Sequence, residues 1–513
     1  MEAITMDCSS NVNDLIVIGG GINGTGIALD AAGRGLNVLL CEQGDLASAT
    51  SSSSSKLIHG GLRYLEHYDF RLVRESLAER EVLLRKAPHL ITPMRFRIPH
   101  RPHLRPAWMI RLGLFLYDNL SKRVTLKSSS AIKFGPTSPL LPHMKRGFEY
   151  SDGWVDDSRL VVLNAVGAKQ KGADIRTQTR CIEIKRSNRL WQVTLENLST
   201  GAIEQVRARA LVNAAGPWVS SLYMDAMQKE APKQIRLIKG SHIVVPRIHT
   251  EEEAYLLQNE DGRVVFLIPF EDKYSLIGTT DIEYKGDPSN VKISQLEIDY
   301  ILGISNEHFK HQLTGDDVFW AYSGVRPLLD DESDSPQAVT RDYTFEVEAP
   351  AGMAPILSVF GGKLTTYRKL SELAVDGLAD YFQHAGPAWT KHSTLPGGEF
   401  SDQASLKAQL NSNYPWLPIE LCARYVRSYG TLSYQILRQA NALADLGRHF
   451  GAGLYALEVN YMVEHEWACN ADDILWRRSK LGLSISVDQT TELEDYLLAL
   501  HRDAAHAKAL QCA

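Results

Sequence analysis

The stretch Asp14-Leu-Ile-Val-Ile-Gly-Gly-Gly-Ile-Asn-Gly-Thr-Gly-Ile-Ala28 decides the fold, together with Ala31-Ala-Gly-Arg-Gly35 and Val38-Leu-Leu-Cys-Glu42 that follow it. An apolar run leads into a glycine turn, a helix rich in small residues, a second apolar run and an acid. This order predicts a βαβ unit that binds a dinucleotide. The alternative, an ordinary tight turn between a strand and a helix, does not require the terminal acid.

Three glycines and one acid have separate roles in this prediction. Gly19 permits the tight turn, Gly21 lets the backbone approach a pyrophosphate, and Gly24 lets the helix pack closely on the strand. The helix N-terminus presents free N–H groups and a partial positive charge to the phosphates. Glu42, at the end of the second strand, is placed to bind a ribose hydroxyl pair. NAD and FAD share this ADP half, so the fingerprint alone does not separate them.

Three later segments favour FAD. Thr50-Ser-Ser-Ser-Ser-Ser-Lys-Leu-Ile-His-Gly-Gly-Leu-Arg-Tyr64 runs from hydroxyls into an apolar, glycine-bearing stretch, a continuation that is unusual for a flexible serine linker. Ala210-Leu-Val-Asn-Ala-Ala-Gly-Pro-Trp218 predicts a buried strand stopped by small residues, against which a planar cofactor can lie. Leu357-Ser-Val-Phe-Gly-Gly-Lys-Leu-Thr-Thr-Tyr-Arg368 predicts another strand, glycine turn and helix start. Its positive helix end suits a reduced flavin, which gathers negative charge.

Three further motifs complete a pattern that is similar to a known family. They are Lys239-Gly-Ser-His242, Gly278-Thr-Thr-Asp281 and Tyr322-Ser-Gly-Val-Arg-Pro327. With the segments above, they make the chain resemble the FAD-dependent glycerol-3-phosphate dehydrogenases of bacterial aerobic respiration, from Asp14 to about Leu481. The resemblance implies oxidation of sn-glycerol 3-phosphate to dihydroxyacetone phosphate by hydride transfer to N5 of FAD, with electrons passed to membrane quinone. It also implies a cytoplasmic protein attached peripherally to the inner face of the cytoplasmic membrane.

We expect an α/β fold in which a Rossmann-like FAD-binding domain is interrupted by insertions. Short β-branched and aromatic runs between its parts predict the antiparallel sheet of a substrate domain of α+β type. Helical spacing of apolar residues from about residue 397 predicts a helical C-terminal domain. The predicted boundaries are 10–90, 145–235 and 340–392 for the FAD-binding domain, 91–144 and 236–339 for the substrate domain, and 397–513 for the helical domain.

Composition restricts the class of protein and its partners. A chain of 513 residues with 44% hydrophobic and 23% charged content is typical of a folded protein of several domains. The six cysteines are scattered, which favours a reducing compartment and neither a disulfide framework nor a metal site. We expect no signal peptide, and no stretch approaches the roughly 20 apolar residues of a membrane-spanning helix. The net charge of −6 disfavours nucleic acid as a partner.

Segment 94–127 is a candidate membrane contact. It carries eight basic residues against the single acid Asp118, and it contains the apolar run 107–117. Such a run, with aromatic borders and nearby arginines, is typical of an interfacial anchor on anionic lipid. The alternative is a core helix of the substrate domain whose arginines form ion pairs. The family resemblance favours the membrane.

The chemistry of glycerol 3-phosphate selects the candidate site residues. A nearly dianionic phosphate suits the planar fork of arginine, and a neutral imidazole suits removal of a hydroxyl proton near pH 7. His59 competes with His242 as that base, although its position before two glycines favours cofactor packing. The predicted set is His242, Arg326 and Lys363 for catalysis, Arg63, Thr279, Thr280 and Tyr367 for the substrate, and Gly19, Gly21, Gly24, Glu42, Ser54, Ser55, Lys56, His59, Gly60, Gly216, Gly361, Gly362, Lys363, Leu364 and Thr365 for FAD.

Two other functions remain open at this point. One is an amine or amino-acid oxidase of the same fold, in which Arg326 would hold a carboxylate. The other is a non-catalytic flavin-binding membrane scaffold, which would not need the set of His242, Arg326 and Lys363. The sequence leaves the oligomeric state undecided, with a homodimer among the candidates.

Overall fold

The computed structural model describes residues 12–101, 103–187, 189–330 and 342–511. The strands are, in chain order, β1 (Asn13–Ile18), β2 (Val38–Cys41), β3 (Leu57–Ile58), β4 (Ile91–Pro99), β5 (Ser130–Lys133), β6 (Arg146–Val155), β7 (Asp174–Arg176), β8 (Thr179–Ser187), β9 (Leu190–Asn197), β10 (Ile203–Asn213), β11 (Ile235–Pro246), β12 (Ala254–Gln258), β13 (Val264–Phe270), β14 (Tyr274–Gly278), β15 (Ile282–Tyr284), β16 (Trp320–Leu329), β17 (Tyr343–Glu348) and β18 (Ile356–Gly361). The helices are α1 (Ile22–Gly33), α2 (Phe70–Lys86), α3 (Ala107–Asn119), α4 (Asp157–Gln170), α5 (Val219–Met227), α6 (Gln295–Asn306), α7 (Tyr367–Asp376), α8 (Gln403–Asn413), α9 (Ile419–Tyr429), α10 (Ser433–Leu437), α11 (Ala456–Glu466) and α12 (Val487–Gln511).

The first sheet carries the dinucleotide-binding unit. Its strand order is β17-β18-β10-β1-β2-β7, and β10, β1, β2, β7 and β18 run parallel. Leu15, Ile16 and Val17 of β1 are fully buried, as expected for a parallel strand covered on both faces. Helices α4 and α7 both pack against α1. The loops at the carboxyl ends of β1, β2, β10 and β18 therefore meet at one edge, where such sheets bind ligands.

The second sheet is almost entirely antiparallel. Its order is β15-β11-β14-β13-β12-β4-β6-β3, with β16 beside β11 and β5 beside β6. Strand β6 belongs to this sheet, because residues 147–155 pair with the whole length of β4 and residues 146–149 pair with β5. The predicted start of an FAD-binding part at residue 145 is therefore wrong by about one strand, and the chain returns to the first sheet only with α4.

Helices α8 to α12 form the C-terminal domain, with a core of their own. Leu410, Cys422, Tyr425, Val459 and Leu475 are buried in that core. The apolar residues that recur at helical spacing after residue 397 therefore lie on real helices and form their buried core. Within the described ranges, no helix has the length and apolar character needed to cross a membrane.

Most arginines in the first part of segment 94–127 are paired with acids from elsewhere. The pairs are Arg95 and Arg97 with Glu149, Arg97 with Glu251 and Glu253, Arg101 with Glu307, and Arg105 with Glu66. The positive charge that we counted from the segment alone is therefore an overestimate. Arg111, Lys122 and Lys127 are exposed and still present positive charge around α3.

Candidate active site

A cavity of about 1750 Å³ lies at the carboxyl edge of the first sheet. The turns after β1, β2, β10 and β18 form one side, and residues of β13 and β16 form another. The three segments predicted to surround a flavin, which are far apart in sequence, thus meet at one cavity.

The dinucleotide turn has the geometry that its glycines predict. Gly19 adopts a φ of 114°, and a Cβ there would lie 2.5 Å from the carbonyl oxygen of Ala214. A Cβ on Gly24 would lie 1.9 Å from the carbonyl oxygen of Gly19. Each position therefore excludes a side chain, for the reasons of turn and helix packing given above.

Polar atoms at this turn fit the ADP half of FAD. The Glu42 carboxylate accepts hydrogen bonds from the N–H groups of Gly20 at 2.6 Å and Gly44 at 2.8 Å, and burial raises the pKa of Glu42. Gly21 caps α1 without a side chain, so the first N–H groups of the helix face the cavity. The buried Oδ1 of Asn23, beside them, has no hydrogen-bond partner in the described part of the chain. This orphaned acceptor and the N-terminus of α1 match a polar cofactor.

The serine-rich loop contributes only part of the predicted set. Ser54, Ser55 and His59 line the cavity. Lys56 does not, because its backbone has a φ of 57° and its ammonium binds Asp157 at 2.8 Å in the interior. The prediction that Lys56 binds FAD is therefore wrong. Gly60 also lies outside the cavity lining, and its N–H donates to the hydroxyl of Tyr117 at 2.7 Å.

The third turn closes the opposite side of the cavity. Gly361 and Gly362 have φ angles of 75° and 99°, and the following residues Lys363 to Thr365 line the cavity with them. The Thr365 hydroxyl accepts from the N–H of His59 at 3.1 Å and lies 3.2 Å from its carbonyl oxygen. The second and third segments are thus held together directly. Gly216, with a φ of 56°, lines the cavity from the turn after β10.

The three cationic residues predicted for the site, Arg63, Arg326 and Lys363, are among those that line this cavity. Arg326 Nη1 lies 2.7 Å from Asp281 Oδ1, and Arg63 Nη1 lies 3.9 Å from Asp281 Oδ2. Arg326 Nη2 also donates to the Thr279 hydroxyl at 3.0 Å. Lys363 donates to Ser76 at 3.0 Å, with its ammonium 4.4 Å from the ring centre of Tyr64. Arg63 and Arg326 therefore share one carboxylate, and Lys363 lines the same cavity.

His242 lies behind the cavity wall. It is 1% exposed, stacks on Tyr322 at 4.9 Å, and its Nε2 lies 2.9 Å from the hydroxyl of Ser55. Burial lowers the pKa of His242 well below its ordinary value, and the charges of Arg326 and Lys56 lower it further. Ser55, rather than the imidazole, lines the cavity. His242, predicted as the base that takes the hydroxyl proton, is therefore connected to the cavity through the hydroxyl of Ser55.

Two predicted substrate ligands also point elsewhere. Thr280 is fully buried, accepts from the N–H of Ser241 at 3.0 Å and donates to Glu297 at 2.8 Å. Thr279 lines the cavity and Thr280 does not, because Ser241 and Glu297 hold the Thr280 hydroxyl in the interior. Tyr367 is buried under α1, where its hydroxyl accepts from Asn164 at 3.1 Å.

Three residues of the cavity wall, Asn23, Ser51 and Asp281, were not predicted from the sequence. Ser51 accepts from the N–H of Ile22 at the start of α1 at 3.0 Å, while Asn23 and Asp281 were not assigned roles. A signal existed for Asp281, because it directly follows the Thr279-Thr280 pair in a motif already singled out. Within the described residues, no group of three or more His, Cys, Asp or Glu side chains could hold a metal ion.

The fold and the cavity define a flavin-dependent oxidoreductase. Residues 14–368 match the family described as FAD dependent oxidoreductase, and residues 388–503 match the C-terminal domain of alpha-glycerophosphate oxidase. The predicted fold class and the predicted cofactor, FAD, are confirmed.

More particularly, the chain belongs to the family of FAD-dependent glycerol-3-phosphate dehydrogenases. It is 59% identical to the aerobic glycerol-3-phosphate dehydrogenase of Escherichia coli K12 over 94% of this chain and 97% of that protein. It is 50% identical to the D-erythritol 1-phosphate dehydrogenase of Brucella abortus over 92% of this chain and 95% of that protein. The X-ray structure of the glycerol-3-phosphate dehydrogenase from Bacillus halodurans, complexed with FAD, is similar with a TM-score of 0.72 and 26% identity, covering 96% of this chain and 95% of that one.

Proposed function

We propose that this protein oxidises sn-glycerol 3-phosphate to dihydroxyacetone phosphate and passes the electrons to a membrane quinone. The observation that carries the proposal is the meeting of Arg63 and Arg326 at Asp281, with Lys363 in the same cavity. Each charge-assisted hydrogen bond to phosphate contributes roughly 1.5 to 3 kcal/mol. A nearly dianionic phosphate uses several cations, whereas the single carboxylate of an amino acid needs fewer. The cluster therefore favours a phosphorylated alcohol over an amino acid.

The reaction removes a hydride from C2 and a proton from the hydroxyl group on that carbon. When bound, FAD accepts the hydride at N5. The arginines and Lys363 hold the phosphate, which fixes the position of C2. Ser55 borders the cavity and lies 2.9 Å from His242 Nε2, so the proton passes to the imidazole through this hydroxyl. The low pKa of His242 keeps the ring neutral and able to accept, and a bound phosphate offsets the Arg326 charge that helps to lower it.

An apolar surface beside the cavity supports quinone as the electron acceptor. Trp108 and Phe115 on α3 are 66% and 60% exposed, and Tyr68 nearby is 80% exposed. Trp108, Leu112 and Tyr68 also line the cavity, so apolar side chains continue from its interior to the surface. Exposed aromatic residues beside basic ones are typical of peripheral membrane attachment. We place this surface on the inner face of the cytoplasmic membrane.

D-erythritol 1-phosphate is the second candidate substrate. The Brucella abortus relative named for it is 50% identical, and the same cationic cluster would bind its phosphate. The two polyol phosphates differ in the length of the carbon chain. The residues that bind the phosphate do not contact the end of that chain and so do not distinguish the two compounds.

Steady-state turnover with an artificial electron acceptor tests the proposal. We expect kcat/KM for glycerol 3-phosphate to exceed that for D-erythritol 1-phosphate, and no turnover of glycine. In Arg326→Met, KM for glycerol 3-phosphate should rise by at least about 100-fold, because each of the two charge-assisted hydrogen bonds that are lost contributes roughly 1.5 to 3 kcal/mol. Arg448→Met, which removes an exposed arginine paired with Glu492 in the C-terminal domain, is the matched control and should keep the wild-type KM. The proposal would be contradicted if glycine were turned over faster than glycerol 3-phosphate, or if none of the three compounds were oxidised.

A further inference from the structure

One turn of the C-terminal domain reaches the loop that follows β2. This turn, Asp473–Arg478, is a short π-helix. Arg478 donates to both carboxylate oxygens of Asp45, at 2.6 and 2.7 Å, and Arg477 Nε lies 2.5 Å from the same carboxylate. Arg478 is fully buried and Asp45 is 4% exposed. A carboxylate held by two guanidinium groups in the interior is a fixed point of the structure.

Asp45 lies within the loop that shapes the ADP end of the cavity. On one side, the N–H of Gly44 donates to Glu42 at 2.8 Å, and on the other the N–H of Ala47 donates to the carbonyl oxygen of Gly20 at 3.2 Å. Gly44 and Ala47 line the cavity, whereas Asp45 faces the C-terminal domain. Hydrogen bonds on both sides of Asp45 therefore join this loop to Glu42 and to the dinucleotide turn. Its outer side, at Asp45, is bound by Arg477 and Arg478.

The same contacts continue to the serine-rich loop. Arg478 Nη2 donates to the carbonyl oxygen of Glu466 at 2.5 Å, and the Glu466 carboxylate binds Arg159 of α4, with Nη2 at 2.9 Å. The first residue of α4, Asp157, accepts from the hydroxyl of Ser54 at 2.7 Å. One buried network therefore reaches two of the loops that border the cofactor.

We propose that Arg477 and Arg478 are positioning residues for FAD: the C-terminal domain holds Asp45, and thereby keeps the ADP loop in the conformation that binds the cofactor. Removing Arg478 takes away two of the three guanidinium hydrogen bonds to Asp45 in a poorly hydrated interior. The remaining bond to Arg477 offsets only part of the charge, so the loop opens more readily to hydrate the carboxylate. The C-terminal domain then has a function in FAD retention. This inference does not depend on which alcohol is oxidised.

The test compares FAD affinity in two full-length variants that each break one buried ion pair of the C-terminal domain. Arg478→Met removes the contact to Asp45. Arg424→Met is the matched control, because Arg424 binds both oxygens of Glu458 at 2.6 Å and both partners belong to the C-terminal helices. The protein is deflavinated, checked by circular dichroism, and titrated with FAD by quenching of flavin fluorescence. Thermal unfolding is followed with and without excess FAD.

We expect Arg478→Met to raise the Kd for FAD by about tenfold or more, because it uncouples the loop from its buried support. Arg478→Lys keeps the positive charge but loses the two parallel hydrogen bonds of the guanidinium group. Its Kd for FAD should therefore lie between those of the wild type and Arg478→Met. Arg424→Met should lower the Tm of the apoprotein while changing the Kd for FAD by less than about twofold. With saturating FAD, the KM of Arg478→Met for glycerol 3-phosphate should equal that of wild type.

A wild-type Kd in Arg478→Met, or an equal rise in both methionine variants, would overturn the inference. If Arg478→Met does not fold, Asp45→Asn decides the matter, since it keeps the shape of the side chain and removes only its charge. A raised Kd for FAD in folded Asp45→Asn supports the positioning role, and an unchanged Kd overturns it.

Discussion

Arg326 Nη1 lies 2.7 Å from Asp281 Oδ1, so the arginine best placed to bind an anionic substrate is already bound to an acid. The arrangement holds the guanidinium fork in the cavity before any anion arrives. Arg63 approaches the other oxygen of Asp281 at 3.9 Å. The acid therefore aligns two cations and at the same time reduces their attraction for phosphate.

Asp281→Asn should strengthen the binding of phosphate. The amide keeps the shape of the side chain, while loss of one negative charge at about 6 Å removes a repulsion of about 1 to 3 kcal/mol, using an effective dielectric constant of about 20 to 50. We expect the Kd for inorganic phosphate, measured as a competitive inhibitor, to fall about fivefold or more. Asp174→Asn, at an exposed acid paired with Arg176, should leave the Kd unchanged. Weaker binding in Asp281→Asn would show that the acid assists the anion rather than opposing it.

Gly24→Ala should abolish FAD binding. The added Cβ would lie 1.9 Å from the carbonyl oxygen of Gly19, so the turn must move away from α1. Gly303→Ala is the matched control in α6, where a Cβ meets no atom within 4 Å. The control should retain FAD and gain about 0.5 to 1 kcal/mol of stability. Flavin content after purification, measured by absorbance, checks both outcomes; a fully loaded Gly24→Ala protein would contradict the close packing.

Stability should fall as the pH falls from about 6.5 to 5. Burial lowers the pKa of His89 to about 3 and of His249 to about 4, and it holds the pKa of His242 well below its ordinary value. These histidines are neutral in the folded protein but protonate in the unfolded chain near pH 6.5, so the unfolded state binds more protons in this window. Each contributes up to about 1.4 kcal/mol per pH unit.

Urea unfolding at pH 7, 6 and 5 measures this dependence. His249→Gln should reduce the slope of the unfolding free energy between pH 6 and 5 by about 1 kcal/mol per pH unit, the contribution of this one ring. His103→Gln, at an exposed position, should leave the slope unchanged. A free energy of unfolding that rises on acidification over this range would contradict the neutral state of these rings.

Membrane binding should depend on the apolar face of α3 and on the exposed cations around it, Arg111, Lys122 and Lys127. Replacing Trp108 and Phe115 together by serine removes two exposed aromatic side chains, each contributing about 2 kcal/mol when buried in lipid. We expect at least about 100-fold weaker binding to vesicles that contain anionic lipid. Replacing Arg111, Lys122 and Lys127 together by glutamate should release the protein from these vesicles. The difference in binding between this variant and the wild type should be largest at low salt.

Arg101→Glu is the informative comparison for this surface. Arg101 binds Glu307 at 3.0 Å, so we expect a smaller effect on vesicle binding than from the exposed cations. Co-sedimentation with vesicles at two salt concentrations measures both. If the aromatic double variant sediments like the wild type, α3 is not the contact.

Local sequence predicted the features that depend on neighbouring residues. The glycines at positions 19 and 24 act through steric contacts within one βαβ unit, and the turn at Gly361 follows directly from its strand. Arg63, Arg326 and Lys363 were found because glycine-rich settings mark places where the backbone approaches a ligand. These residues do lie around one cavity.

Other assignments failed because long-range contacts decide where a side chain points. Lys56 follows five serines, but Asp157, 101 positions later, binds it in the interior. Thr280 was assigned with Thr279, although the distant residues Ser241 and Glu297 hold its hydroxyl in the interior. The acids that neutralise Arg97 lie on β6 and just before β12, which no local charge count includes.

Anaerobic titration of the FAD-loaded protein with glycerol 3-phosphate tests the central claim, that a phosphate-binding cluster of arginines and lysine lies beside the flavin. We predict that the yellow absorbance band bleaches at stoichiometric substrate in the wild type, that Arg326→Met requires about 100-fold more substrate, and that glycine has no effect on either protein. A flavin that stays oxidised with excess glycerol 3-phosphate, or that glycine bleaches as readily, would contradict the account.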